Sequence, residues 1–389
     1  MFVAHLIVAA LAAAPADESS LERLVVCSAE RYRVSAYPCV DRLDDGRLIC
    51  VFSANDRSTG GKMVVAGCFS DDHGKSWSPP RVLIDSKDEH DYDPNVIVIG
   101  PRVIVTSTTV PLDHHEFIST SRTVAVRSDD GGRTWSKPYQ IPMGYRYTSG
   151  KVQKGIVLGD GTALFGFTYE AQLEKIDRLK LEGDMIERSV VLISRDRGLT
   201  WRAGGEVADD SLKIPERKAA IRGICEPSIV ECSDGSLYML ARTGMEKLYE
   251  SRSRDGGKTW SPPKPSALTG HNAPASLTRF RGARPGILVV WNNSPKDRWP
   301  LCAAASFDDG RTWSPPRTLA DTPGRECSYP GCTQAADGTL IAVWQQATGK
   351  GPREIHAARF KPEWLLDRAG AAEKPAADSN SQAPSTPAR

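Results

Sequence analysis

No basic block occurs anywhere in the 389 residues: 50 Lys and Arg stand against 48 Asp and Glu, a formal net charge of +2. Without such a block there is no electrostatic footprint for nucleic acid, so no nucleic-acid partner is expected. Beyond the first sixteen residues no apolar run is long enough to cross a bilayer, and no membrane span is expected. No Cys/His spacing reads as a zinc site, and neither metal nor cofactor is expected. Helix signals are nearly absent. The exception, AQLEKIDRLKLEGDMIE at 171–187, reads as a long loop or a short helix. Histidine is scarce, with seven residues. His114, His115 and His271 lie in loops, where a solvated side chain is the default reading and a catalytic base the alternative.

Nine cysteines are present, an odd number. Cys39, Cys50, Cys68 and Cys302 sit inside apolar runs, where a small buried thiol is expected. Cys225/Cys232 and Cys327/Cys332 are the pairs an oxidising compartment could join. The opening run MFVAHLIVAALAAAPA ends in Ala14-Pro15-Ala16. It reads as a signal peptide, residues 1–16, despite lacking an early Lys or Arg, and so implies a secreted or periplasmic protein. A buried strand or helix is the alternative. Residues 367–389 hold no large apolar side chain and are expected to be disordered. Between these ends, 21–366 is read as one domain.

What the chain has in quantity is a repeated phrase. SDDHGKSW (70–77), SDDGGRTW (128–135), SRDRGLTW (194–201), SRDGGKTW (253–260) and SFDDGRTW (306–313) share Ser-x-Asp-x-Gly-x-Ser/Thr-Trp. Their serines stand 53 to 66 residues apart, a repeat array. Each copy follows a short apolar run and precedes polar and proline residues, so each is a tight turn between strands. The Asp bonds turn amides, Gly supplies a positive φ, and Trp packs against a neighbouring unit. Residues repeated in every unit build structure rather than chemistry.

A second repeat lies between the copies: a hairpin, often opened by Pro and turned by Asp-Gly. It runs from YPCVDRLDDGRLICVF (37–52) through EPSIVECSDGSLYMLAR (226–242) to YPGCTQAADGTLIAVWQ (329–345), six times in all. Hairpin, strand, box and strand make four strands, the content of a propeller blade. The expected fold is all-β, a six-bladed β-propeller with four-stranded antiparallel blades. The sixth unit ends at EIHAARF (354–360) without a box, and LERLVVCS (21–28) is expected to supply its outer strand and close the ring. Because strands alternate in direction, the boxes lie on one face and the starts of the first strands on the other. That second face collects Tyr37, Asp93, Glu226, Ala273 and Tyr329. Ends of second strands add Asn55-Asp56-Arg57, Glu170, Arg242, Asn292-Asn293 and Gln345. Starts of third strands add Arg122, Arg188 and Arg298.

The repeated phrase is the Asp-box, and from about Tyr32 to Phe360 the chain resembles the sialidase superfamily. The box itself speaks for a propeller and not for an activity, since binding propellers carry it too. The resemblance implies three arginines on the substrate's carboxylate, whose geometry the guanidinium fork matches. It implies a Tyr nucleophile relieved of its proton by a Glu, and an Asp acid. CEPSIVECSDGSLYMLAR is similar to the family's Glu-to-Arg hairpin, giving Glu226 as the base partner and Arg242 as one carboxylate ligand. Arg298 stands where the family keeps another, and SYPGCTQAADG gives Tyr329 as the nucleophile. The family's Arg-Ile-Pro phrase is replaced by Ala36-Tyr37-Pro38; Arg33 lies a few residues earlier, and Arg57, Arg122 and Arg188 are within reach of the same rim, with Arg57 taken as substrate-binding. Asp56 is taken as the acid, with Asp93 second and otherwise substrate-binding. The implied function is a secreted exo-glycosidase that removes sialic acid or a related acidic sugar from a glycan with retention. A rhamnosidase or uronate lyase, or a non-catalytic glycan-binding propeller, is the alternative.

Overall fold

A computed structural model describes residues 21–55, 61–112, 121–145, 148–149, 153–171, 185–212, 221–348 and 351–366. Asp56, Arg57, His114, His115, most of 171–187, the leader and the tail lie outside the described residues. The molecule is all-β, with six antiparallel blades set around an axis as a six-bladed propeller.

Blade one is Ser35–Arg42, Leu48–Asn55, Met63–Ser70 and Arg81–Ile84, each strand paired with the next. Blade two runs from Glu89–Ile99 to Tyr139–Ile141, blade four from Cys225–Glu231 to Lys264–Thr269, and blade five from Ser276–Phe280 to Arg317–Ala320. Blade six is Cys327–Gln334, Leu340–Ala347 and Arg353–Phe360, completed by Glu22–Cys27 from the start of the domain. Glu22 faces Arg359 and Cys27 faces Ile355, so the first strand shuts the ring as expected. An open edge there would expose unpaired backbone donors and acceptors.

Blade three departs from the expected pattern. The hairpin read over 151–167 has only a short first strand, Ile156–Val157, among the described residues. Two short pieces, Thr148–Ser149 and Ile156–Val157, each pair with Ala163–Glu170. A further strand, Ile221–Gly223, runs parallel to Met185–Ser194. The hairpin proline is missing here. A side chain at Gly155 would put its Cβ 2.6 Å from Ile97, so the backbone passes too close for a regular edge. Lys154 instead reaches across the axis to Asp41 (2.8 Å) and Thr333 (3.2 Å).

The core is six apolar wedges, one between each pair of blades. Alternating strand residues such as Val51, Val96 and Val105 fill the wedge between blades one and two. Five wedges receive a box tryptophan from the later blade: Trp77, Trp135, Trp201, Trp260 and Trp313. The wedge between blades five and six has no box. Trp364, from the short helix Pro362–Leu366, fills it, with Phe360 beside it at 5.0 Å and the Arg317 guanidinium over its face at 4.2 Å.

Each box is a closed hydrogen-bond circuit. In the third, Asp196 accepts from the Ser194 hydroxyl (2.8 Å), the Thr200 amide (2.9 Å) and the Thr200 hydroxyl. These bonds hold its carboxyl at about 2, the Thr200 hydroxyl contributing most. Boxes also hook the hairpin turn of the preceding blade. Arg133 bonds Asp45 (3.0 Å), and Asp309 accepts from the Ser233 amide (3.0 Å). Boxes and hairpin turns therefore share one face, and the starts of the inner strands lie on the other. All nine cysteines are buried and unpaired, so neither Cys225/Cys232 nor Cys327/Cys332 is a disulfide. Among the described residues no helix is long and apolar enough to cross a membrane.

Candidate active site

The inner strands enter this second face through a repeated backbone device. Tyr37, Asp93, Glu226 and Tyr329, each just before the hairpin proline, have φ between 48° and 54°. Residues with a side chain rarely adopt that conformation, and each instance costs on the order of 1–3 kcal/mol. All four sit where the register to the second strand slips, at a β-bulge. A bulge re-aims a side chain, and these four are aimed at one mouth of the ring. In blade five the device falls on Asn272 (φ 44°) rather than Ala273, because there the proline comes two residues later.

Tyr329, Glu226 and Arg242 form the floor. The Tyr329 phenol donates to Glu226 Oε1 at 3.3 Å, while Arg242 Nη1 bonds Glu226 Oε2 at 2.8 Å and the phenol oxygen at 3.2 Å. Tyr329 and Glu226 are both 8% exposed. Burial pushes the Tyr329 phenol well above its usual range and the Glu226 charge adds to it, against the pull of Arg242 and Arg298. At rest the phenol therefore keeps its proton, with a carboxylate beside it to receive it.

Arg298 lies over the Tyr329 ring, its guanidinium carbon 5.2 Å from the centroid. Asn272 fixes both arginines: its side-chain oxygen accepts from Arg242 Nε and its carbonyl from Arg298 Nη2, each at 2.8 Å. Tyr37 meets Tyr329 edge to face at 4.8 Å. Burial raises the Tyr37 phenol, with the Asp93 and then the Glu226 charge adding to the effect.

Four further residues of the cluster were not singled out for a role by the sequence. Glu326 accepts from Arg298 (2.8 Å), Arg353 (3.3 Å), Gln345 (3.0 Å) and the Ser328 hydroxyl (2.5 Å). Burial works against the Glu326 charge, but Ser328 and the two arginines hold its carboxyl below the usual range. Gln345 also accepts from the Tyr37 amide at 3.1 Å. Arg353 opens the third strand of blade six. That is the slot from which Arg122, Arg188 and Arg298 were read, so the same rule carried into blade six would have found it. Asn272 and Glu326 had no comparable signal.

Three other expected rim residues, Arg122, Arg188 and Asn292, are engaged elsewhere. Arg122 pairs with Glu89, and Arg188 with Asp210 (2.7 Å) and Glu206 (3.0 Å). Among the described residues neither has a bond to the cluster, because each finds a carboxylate within its own blade. Asn292 is buried and ties to the Cys327 carbonyl at 2.9 Å. Among the described residues no group of three or more His, Cys, Asp or Glu is placed to hold a metal.

Six blades, box turns on one face and a phenol–carboxylate–arginine cluster on the other define an Asp-box propeller. The BNR repeat-like domain family matches residues 46–342, and the chain belongs to that family, within the sialidase superfamily. It is 27% identical over 330 residues to a sialidase of Micromonospora viridifaciens, covering 79% of this chain and 45% of that one. The chain spans less than half the length of the curated relatives it matches. Among solved structures, the Hadza microbial sialidase Hz136 aligns with a TM-score of 0.70 at 19% identity, over 88% of this chain and 69% of that one. A protein of unknown function from Dyadobacter fermentans aligns with a TM-score of 0.68 at 20% identity, over 87% of this chain and 98% of that one. At these identities the structural likeness speaks for the fold.

Proposed function

We propose that the protein is an exo-glycosidase of sialidase type, releasing a terminal sialic acid or related acidic sugar from a glycan with retention of configuration. One observation carries this reading: a buried phenol hydrogen-bonded to a carboxylate, with two guanidiniums against it. Tyr329 Oη attacks the anomeric carbon and its proton passes to Glu226. An uncharged phenol meets the substrate's carboxylate without the repulsion a carboxylate nucleophile would suffer. The leaving oxygen takes a proton from an Asp. Asp56 is the first candidate and lies outside the described residues; Asp93 is the second. That Asp then deprotonates a water, which displaces the sugar from Tyr329, and the phenol recovers its proton from Glu226. Arg242 and Arg298 hold the carboxylate through charge-assisted bonds. Export belongs to this reading and rests on the apolar first sixteen residues.

The test is turnover of a fluorogenic sialoside by wild type, Tyr329→Phe and Arg298→Ala. Wild type is expected to cleave it. Tyr329→Phe should lose about 10³-fold or more in kcat, and Arg298→Ala should raise KM at least about tenfold, the loss of one charge-assisted pair. A wild type inert toward every sialoside would move the assignment to a rhamnosidase, a uronate lyase or a non-catalytic glycan-binding propeller. Wild-type rates in Tyr329→Phe would remove the mechanism.

A further inference from the structure

Arg353 stands at the seam where blade six meets the entry to blade one. Its main chain makes the seam: the amide donates to the Arg33 carbonyl at 3.2 Å, and the residue bridges to Val34. The side chain has no part in that tie. It turns instead to Glu326, bonding Oε2 through Nη2 at 3.3 Å. Its Nε is buried without a hydrogen-bond partner among the described residues. A buried donor left unpaired is costly, so a built site normally supplies it an acceptor.

Glu326 is shared. Oε1 takes Arg298 and Oε2 takes Arg353, so two guanidiniums share a single carboxylate. Ser328 and Gln345 fill the remaining positions on Oε1. That leaves Glu326 locked, a support for the two arginines rather than a proton donor. A second carboxylate placed between Arg298 and Arg353 would complete an alternating ring of charge. Among the described residues that open blade one, Ala36 carries no side-chain donor, and Tyr37 is engaged with Tyr329 and Gln345. Exposure falls in step from mouth to floor, with side chains of Arg353, Arg298 and Arg242 at 39%, 27% and 11%. An anion entering the mouth meets Arg353 first.

We propose that Arg353, placed by Glu326, is the third guanidinium seating the substrate's carboxylate, so that blade six supplies an arginine where blade one opens with Ala36. This rests on the proposed function. It is tested by calorimetric binding of the sialic acid analogue DANA and of its C1 methyl ester, which lacks the negative charge. Wild type should prefer the acid strongly. Arg353→Ala should weaken acid binding about 10- to 100-fold, the loss of one charge-assisted pair, and ester binding less than about threefold. Arg353→Lys keeps a cation for Glu326 but loses the fork, and should fall between; it decides the matter if the alanine variant does not fold. A wild type that prefers the acid, with Arg353→Ala and Arg353→Lys keeping the same preference, overturns the Arg353 assignment alone. A wild type that does not discriminate acid from ester overturns the proposed function as well.

Discussion

Glu326 stands just before the strand that carries Tyr329, three residues upstream of it, and the two serve opposite ends of the site. Tyr329 is an uncharged group beside Glu226, and its burial keeps its proton in place until a carboxylate takes it. Glu326 must stay charged, because its charge holds Arg298 and Arg353 in position. Its folded pKa is depressed below the usual 4.5, so its stabilising contribution is complete above that value and is lost as the pH falls through the lower folded one. In kinetic terms, wild-type KM for an acidic sugar should be flat from about pH 7 to pH 5 and should climb once Glu326 protonates. Glu326→Gln should start from a KM raised about tenfold and show no further rise of its own. A pH series of KM for the two proteins measures this. The order Glu226, Arg242, Arg298, Tyr329 was legible in the sequence because each stands beside a hairpin or box landmark. Asn272 was not, since a shift of one residue in the proline moved the left-handed position from Ala273. Glu326 was not legible either, because its partners come from blades five and six.

Among elements, the Asp-box was the plainest reading. Its Asp, Gly and Trp roles follow from side-chain chemistry alone, and the structure shows the circuit at Asp196 and the tryptophan in its wedge. The break in the inner strand of blade three was missed because a local pattern cannot report that Ile97 of the preceding blade crowds Gly155. What replaces the missing sixth box was also out of reach. Trp364 fills that wedge, but it approaches from a short helix after the last strand and carries none of the box signature. If Trp364 does the work of a box tryptophan, Trp364→Ala should destabilise the fold by about 3–5 kcal/mol, as for other buried aromatics. Denaturant unfolding measures it. A loss below about 1 kcal/mol would mean the sixth wedge is held by Phe360 and its strand neighbours without Trp364.

For the whole molecule, closure links architecture to site. The strand that carries Arg353 at its head is held on one side by Leu340–Ala347 and on the other by Glu22–Cys27. Removing residues 21–28 strips that outer partner and opens an edge along Arg353–Phe360. The truncated chain is expected to unfold at a clearly lower temperature, to self-associate, and to bind acidic sugars more weakly than it loses ester binding. Thermal unfolding followed by light scattering checks the first two. A truncated chain as stable and monomeric as the parent would show that the ring does not depend on this strand. Six blades could be counted from the sequence because each hairpin is local. The convergence of residues from blades one, two, four, five and six on one mouth is a product of closing the circle, and only the residue types at the strand ends hinted at it.

The most direct measurement on the proposed chemistry is covalent trapping. The protein is incubated with 2,3-difluorosialic acid, which slows release of a glycosyl-enzyme, and the adduct is located by peptide mass mapping. The account predicts one sugar per chain, on the peptide containing Tyr329, and none in Tyr329→Phe. A sugar attached to any other residue, or sialoside turnover that Tyr329→Phe leaves unchanged, would contradict it.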